Sequence, residues 1–190
     1  MLRWLMPARR APGLQNLDLG AHADVNYRLA ICRNDEAEGE IADVTELAAG
    51  LVLRADPALG ISGRYASPRG RLLEIDATAR GTGDWFALHL PVGAENLADQ
   101  GVFGFACRGS ASEFIPVRAC LRSGGRLGGF SDCFFDKHIL LHATDSSHVD
   151  AITLQTRDEV PQKAPWRELV LFFPPRRLRL SLADLRVFLV

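Results

Sequence analysis

The sequence predicts an all-β fold: an antiparallel β-sandwich of jelly-roll type, with at most one or two short helices. Three observations carry this expectation. Apolar and polar residues alternate with a period of two along several runs, the mark of strands with one buried face. Turn-forming residues recur about every ten residues, as in sandwiches. Few stretches place apolar residues at helical spacing. A single β-barrel is the second architecture compatible with this pattern.

Residues 71–121 organise the reading. In 71–79, Leu73, Ile75, Ala77 and Ala79 alternate with Glu74, Asp76 and Thr78. Gly81-Thr82-Gly83-Asp84 permits backbone reversal, and 85–92 alternates again, with Phe86, Leu88, Leu90 and Val92 against Trp85, Ala87 and His89. The two runs read as a β-hairpin. Residues 102–108 and 114–122 continue the theme as a meander, with Phe103 and Phe105 expected in the core.

Taken in order, residues 1–20 read as an N-terminal arm or edge segment carrying Arg3, Arg9, Arg10, Pro7 and Pro12. Residues 24–33 read as a strand, because Val25, Tyr27, Leu29 and Ile31 alternate. Residues 34–40 read as an acidic loop. Ile41, Val44, Leu47 and Ala48 fall at helical spacing, so 41–49 reads as a short helix. Residues 51–55 form a strand, and 56–70 a loop with one short strand at 63–66. Beyond the meander, 123–129 is glycine-rich and the most flexible stretch. Apolar runs at 130–135, 138–143 and 149–155 follow, then a polar loop at 157–165. The chain closes with 166–173, a Pro-Pro-Arg-Arg break, and 178–190. In that last run Leu178, Leu180 and Leu182 share a face, while Leu185, Val187 and Leu189 are one residue out of step. A β-bulge near Ala183-Asp184 would return both sets to the core.

The 190 residues fit one domain, 1–190, long enough to hold a core without disulfide or metal. A net charge of −1 provides no global attraction to nucleic acid or an anionic membrane. No run reaches the length of a membrane span, and residues 1–7 lack the apolar core of a signal peptide, so a cytoplasmic protein is expected. Cys32, Cys107, Cys120 and Cys133 form no C-x-x-C pair and read as small buried side chains.

The end of the chain carries a resemblance. Trp166-Arg-Glu-Leu-Val-Leu-Phe-Phe, a short break, and Leu180-Ser-Leu-Ala-Asp-Leu-Arg-Val-Phe resemble the close of galactose-binding-like β-sandwich modules, a fold shared by several carbohydrate-binding module families. The resemblance covers about 25 residues and implies sugar binding. It also implies that Asp184 matches an acidic position that can help hold a structural calcium. No other cofactor is expected. Fold likeness alone does not carry function.

Two constellations could carry chemistry. On the polar side of the meander, Trp85, His89, Arg108, Arg118 and Arg122 would form a sugar-binding groove if they share one face. Rings stack on sugars and guanidinium groups bind hydroxyls or carboxylates. His142 is a further candidate ligand residue. The second is the polar cluster Asp132, Asp136, His138, His142, Asp145, His148 and Asp150, which lacks a His-x-His pair and any known metal-loop pattern. Gly-x-Ser-x-Gly and the nucleotide-phosphate fingerprints are absent as well. The expectation is a non-catalytic module binding carbohydrate or a similar polar polymer, as an accessory to glycan handling. A metal-dependent enzyme using residues 132–150 is one alternative. The other is an assembly subunit whose exposed Phe and Leu edges pair with another chain or a second copy.

Overall fold

Alternation along the chain becomes thirteen strands and one α-helix in the computed structural model, which describes residues 22–47 and 50–190. The helix is α1 (Ala23–Cys32). The strands are β1 (Glu38–Ile41), β2 (Val44–Glu46), β3 (Val52–Ala55), β4 (Ser62–Ala66), β5 (Leu73–Thr78), β6 (Phe86–Pro91), β7 (Val102–Ala111), β8 (Ile115–Gly124), β9 (Phe130–Phe134), β10 (Ile139–Leu141), β11 (Ser146–Thr153), β12 (Arg167–Phe173) and β13 (Leu178–Leu189). A six-stranded sheet has the order β1-β4-β5-β13-β7-β11, and a seven-stranded sheet the order β10-β8-β12-β6-β3-β2 with β9 also on β8. Every pairing is antiparallel. The predicted arm at 1–20 lies outside the described residues.

Between the sheets, inward residues from both layers form one core. Phe86, Leu88 and Leu90 of β6 and Leu169, Leu171 and Phe173 of β12 belong to it, as do Phe103 and Phe105 of β7. Phe105 meets Phe135 edge to face at 4.8 Å between ring centres. All four cysteines are buried, and burial pushes the Cys107 thiol up to about 12. On β13 the register shifts between Leu182 and Asp184, as the out-of-step leucines require, and both apolar sets stay buried.

The expected hairpin over 71–92 does not form. β5 and β6 lie in different sheets, and so do β7 and β8: the chain crosses the sandwich at each step rather than meandering. The Gly81–Asp84 segment is a crossover that lies against the 3-10 turn Pro57–Leu59. Arg80 and Gly81 both donate to the Leu59 carbonyl, and a Cβ on Gly81 would sit 2.0 Å from the Ala58 oxygen. Glycine is needed here for close backbone approach, not for a hairpin turn.

Residues 24–33 are also not a strand. They form α1, burying Val25, Leu29 and Cys32 at helical spacing and exposing Tyr27 and Ile31. The reason is tertiary. β5 stops opposite Leu182, and among the described residues no strand pairs with the later half of β13 on that side. Asn26 fills the gap: its Oδ1 accepts from Val187 N–H at 2.9 Å and its Nδ2 donates to Val187 O at 2.7 Å. A side-chain amide thus imitates the missing strand. The helix expected over 41–49 is replaced by the end of β1 and by β2, which belong to opposite sheets. The Thr45 hydroxyl accepts from Ala42 N–H at 2.9 Å and donates to Ala42 O at 3.2 Å, closing the turn between them. Residues 48 and 49 lie outside the described residues.

Asn26→Ala leaves the Val187 amide and carbonyl without partners on a half-buried edge. It is expected to lower unfolding free energy by about 1–3 kcal/mol in urea denaturation, with the m-value unchanged.

Candidate functional site

In the centre of the seven-stranded sheet the outward positions are not simply polar. Along β6, Ala87 and His89 point away from the core yet are buried. They are covered by a second layer in which Ala87, Cys120 and Val170 form a small apolar cluster flanked by Phe134 and Phe172. Antiparallel register places the outward residues in rows. Arg54, Ala87, Phe172 and Arg118 form one row. Val52, His89, Val170, Cys120 and Phe134 form the next. Pro91, Glu168, Arg122 and Asp132 form the third. Beyond it Gly124 opposes Phe130, and the Trp166 indole lies so close over Gly124 that a Cβ there would be 2.4 Å from it.

Charges on this face are paired and stacked. Arg122 donates to Asp132 through Nε and Nη2, both at 2.7 Å, and its guanidinium carbon lies 3.9 Å from the Phe130 ring centre. The Asp132 hydrogen bonds hold Arg122 above its ordinary pKa. Arg118 stacks on Phe134 at 4.0 Å. His89 Nδ1 donates to Glu168 Oε2 at 2.8 Å. That bond outweighs burial and holds the Glu168 carboxyl below the usual glutamate range, with Arg122 and Arg54 adding to it. Phe130 and Trp166, 57% and 41% exposed, are the rings left open to solvent at one end of the face.

Arg167 fixes that end from beneath. Its side chain points inward, is 1% exposed, and donates to the carbonyls of Ala94 and Pro161 and the hydroxyl of Ser123. Among the described residues no carboxylate is a hydrogen-bond partner of it, and burial pushes it down to about 10. Its bonds tie the connections on either side, where Leu97 N–H meets Gln162 O and Ala164 N–H meets Glu95 O, to the strand that carries Glu168 and is preceded by Trp166.

The structure brings together only part of the predicted groove. Arg118, Arg122 and His89 share the outer face of the seven-stranded sheet, with His89, at 4% exposed, buried against Glu168. Arg108 is exposed on β7 in the other sheet, opposite Asp184, so the core separates it from Arg118. Trp85 is partly exposed and precedes β6 at the Phe173 end, away from Trp166. His142 follows β10, is exposed, and its Nδ1 meets the Thr144 hydroxyl at 3.0 Å. Phe130, Phe134, Phe172, Trp166, Glu168 and Asp132 were not assigned to this face from sequence. Alternation of Trp166, Glu168, Val170 and Phe172 is the signal that would have found half of them; Arg167 has no such signal.

Asp184 is an ion-pair residue, 3.3 Å from both Arg33 and Arg186, with one oxygen also accepting from Leu185 N–H. Two guanidinium groups make this a poor fit for calcium. Among the described residues no group of three or more His, Cys, Asp or Glu side chains is placed to hold a metal ion. The polar cluster of 132–150 does not converge as one set. Asp132 binds Arg122, Asp136 binds Arg157, Asp150 accepts from Lys137 and Ala151 N–H, and His148 lies beside Phe105. No helix among the described residues is long and apolar enough to cross a membrane.

No family model matches this chain, and no curated protein does. Solved structures do. The N-terminal cellulose-binding domain of Cellulomonas fimi β-1,4-glucanase C is 17% identical with a TM-score of 0.50, covering 79% of this chain and 95% of that one. The CBM22-1 xylan-binding domain from Paenibacillus barcinonensis Xyn10C is 11% identical with a TM-score of 0.47, covering 83% and 88%. A CBM4 structure is 16% identical with a TM-score of 0.44, covering 74% and 95%. The chain therefore has the jelly-roll β-sandwich fold of carbohydrate-binding modules.

Arg167→Met leaves two carbonyls and a hydroxyl unpaired in the interior and is expected to cost about 2–4 kcal/mol in denaturant titration. Glu168 adds a pH dependence. Its native pKa is lowered, so its stabilisation is complete above the ordinary glutamate value and is lost as pH falls through the native one. Between pH 7 and about pH 3, Glu168→Gln is expected to lose less stability than the parent chain, measured by urea midpoints.

Proposed function

We propose that this chain is a non-catalytic carbohydrate-binding module whose sugar platform is the outer face of the seven-stranded sheet. One observation carries the reading: exposed rings, Phe130 and Trp166, stand beside a row of fixed hydrogen-bonding groups, Arg122, Asp132 and Glu168, on one sheet surface. Sugars offer both apolar C–H faces and hydroxyl edges, and this pairing of ring with charged fork meets both. Arg122 and Asp132 are already locked to each other, so binding sacrifices little side-chain freedom. The fold supports the reading, since the Cellulomonas fimi domain of the same architecture is cellulose-binding.

On this reading the polymer lies across β8, β9 and β12, and the outer face of the six-stranded sheet takes no part. Trp166→Ala and Phe130→Ala are each expected to weaken polysaccharide binding about tenfold, while Arg108→Ala and His142→Ala leave it within about twofold. Affinity electrophoresis through gels cast with individual soluble polysaccharides measures this. Retardation by no polysaccharide, or equal retardation of the ring variants and the parent, refutes the assignment.

A further inference from the structure

Next to the platform, where β9 ends and the chain turns towards β10, a cleft of about 410 Å³ opens. Arg118, Phe134, Lys137, His138, Arg157 and Glu159 line it, with Asp132 and Asp136 at its sides. The carboxylates at those sides are spoken for. Asp132 is held by Arg122 through two bonds of 2.7 Å, and Asp136 by Arg157 through bonds of 2.7 and 2.6 Å. Arg118 and Lys137 differ. Among the described residues neither side chain has an acidic partner, and Arg118 is fixed only by its stacking on Phe134 at 4.0 Å. Glu159 is the one carboxylate lining the cleft that has no ion pair among the described residues. The cleft thus presents two uncompensated cations against one anion.

Stacking on Phe134 restrains the guanidinium plane and leaves its N–H edges free to bond. That edge geometry matches a carboxylate bidentately, and a hydroxyl cannot neutralise the charge. Lys137, in the same cleft, adds a second, mobile charge. We infer that this cleft is an acidic-sugar subsite: it takes the carboxylate of a uronic acid residue, while a neighbouring part of the same glycan lies on Phe130 and Trp166. The assignment rests on the carbohydrate-binding reading above and names the polymer class it would select. Phe134 and Phe130 are four residues apart on β9, about 13 Å along a strand, so an oligomer and not a monosaccharide is needed to reach both.

Isothermal titration of the whole chain tests this with four polymers: polygalacturonate, the same polymer after carboxyl reduction, a neutral xylan, and a sulfated galactan. Carboxyl reduction is expected to weaken binding at least about tenfold, and raising salt to weaken only the carboxylated polymer strongly. In Arg118→Gln and Lys137→Gln the affinity ratio between native and carboxyl-reduced polymer is expected to fall towards one. Both side chains are on the surface, and circular dichroism verifies that the variants fold. Binding of neutral polymers with no effect of carboxyl reduction overturns the acidic subsite and leaves the module assignment standing. Equal binding of the sulfated galactan overturns carboxylate recognition in favour of any anion. Binding of none of the four, by parent and variants alike, overturns the acidic subsite, and the platform assignment then stands or falls on the polysaccharide survey above.

Discussion

The alternation of β12 is the constraint on which the rest depends. Leu169, Leu171 and Phe173 point into the core, while Glu168, Val170 and Phe172 point outward to the candidate face. A slip of one residue would drive the carboxylate inward and the leucines into water. The strand is flanked on both sides, by β6 and β8, so its register is pinned twice. Arg167, at its first position, breaks the apolar pattern of the inward face. With no carboxylate partner among the described residues, the charge is tolerated there because three acceptors surround the guanidinium. The strand that centres the sheet is therefore also the one that positions the face, and its first residue links the two.

The outer faces of the two sheets differ in how they hold their charges. On the six-stranded sheet Arg179 pairs with Asp76 and Arg71 with Glu74, and these groups are substantially exposed. Exposed pairs contribute little and remain mobile. A groove of about 500 Å³ crosses that face, lined by Glu38, Arg64, Asp76 and Arg179, with Asp76 and Arg179 paired to each other. On the seven-stranded sheet the ions rest on an apolar floor of Ala87, Cys120, Val170, Phe134 and Phe172. Stacking and partial burial hold Arg122 and Glu168 in one geometry. Such pre-organisation is what recognition of a polar ligand requires.

Much of the strand content was legible from the residues, and so was the bulge on β13, since two leucine sets one residue out of step cannot share a face otherwise. Three readings failed for one reason. Val25, Tyr27, Leu29 and Ile31 alternate, but the space beside the late half of β13 suits a helix whose Asn26 can bond Val187. Gly81-Thr82-Gly83-Asp84 has turn chemistry, yet its glycines serve a close crossing over Ala58 and Leu59. Arg108 and Arg118 both follow the polar period, yet they emerge on opposite sides of the sandwich. In each case the local pattern was silent about the neighbour, and over 24–33 that neighbour overrode even the local geometry the pattern implied.

The sequence by itself determined an antiparallel β-sandwich and which residues on each strand face the same way, because side chains on an extended backbone alternate whatever lies beside them. It also marked Arg118 and Arg122 as outward cations. Only the tertiary structure decided which outward residues become neighbours. Strands that adjoin in the chain, β5 and β6 or β7 and β8, went to different sheets, and strands far apart in it, β6, β8 and β12, were set side by side. A binding face is a property of that second arrangement: it is assembled across strands by hydrogen-bonded register between segments as distant as His89 and Val170.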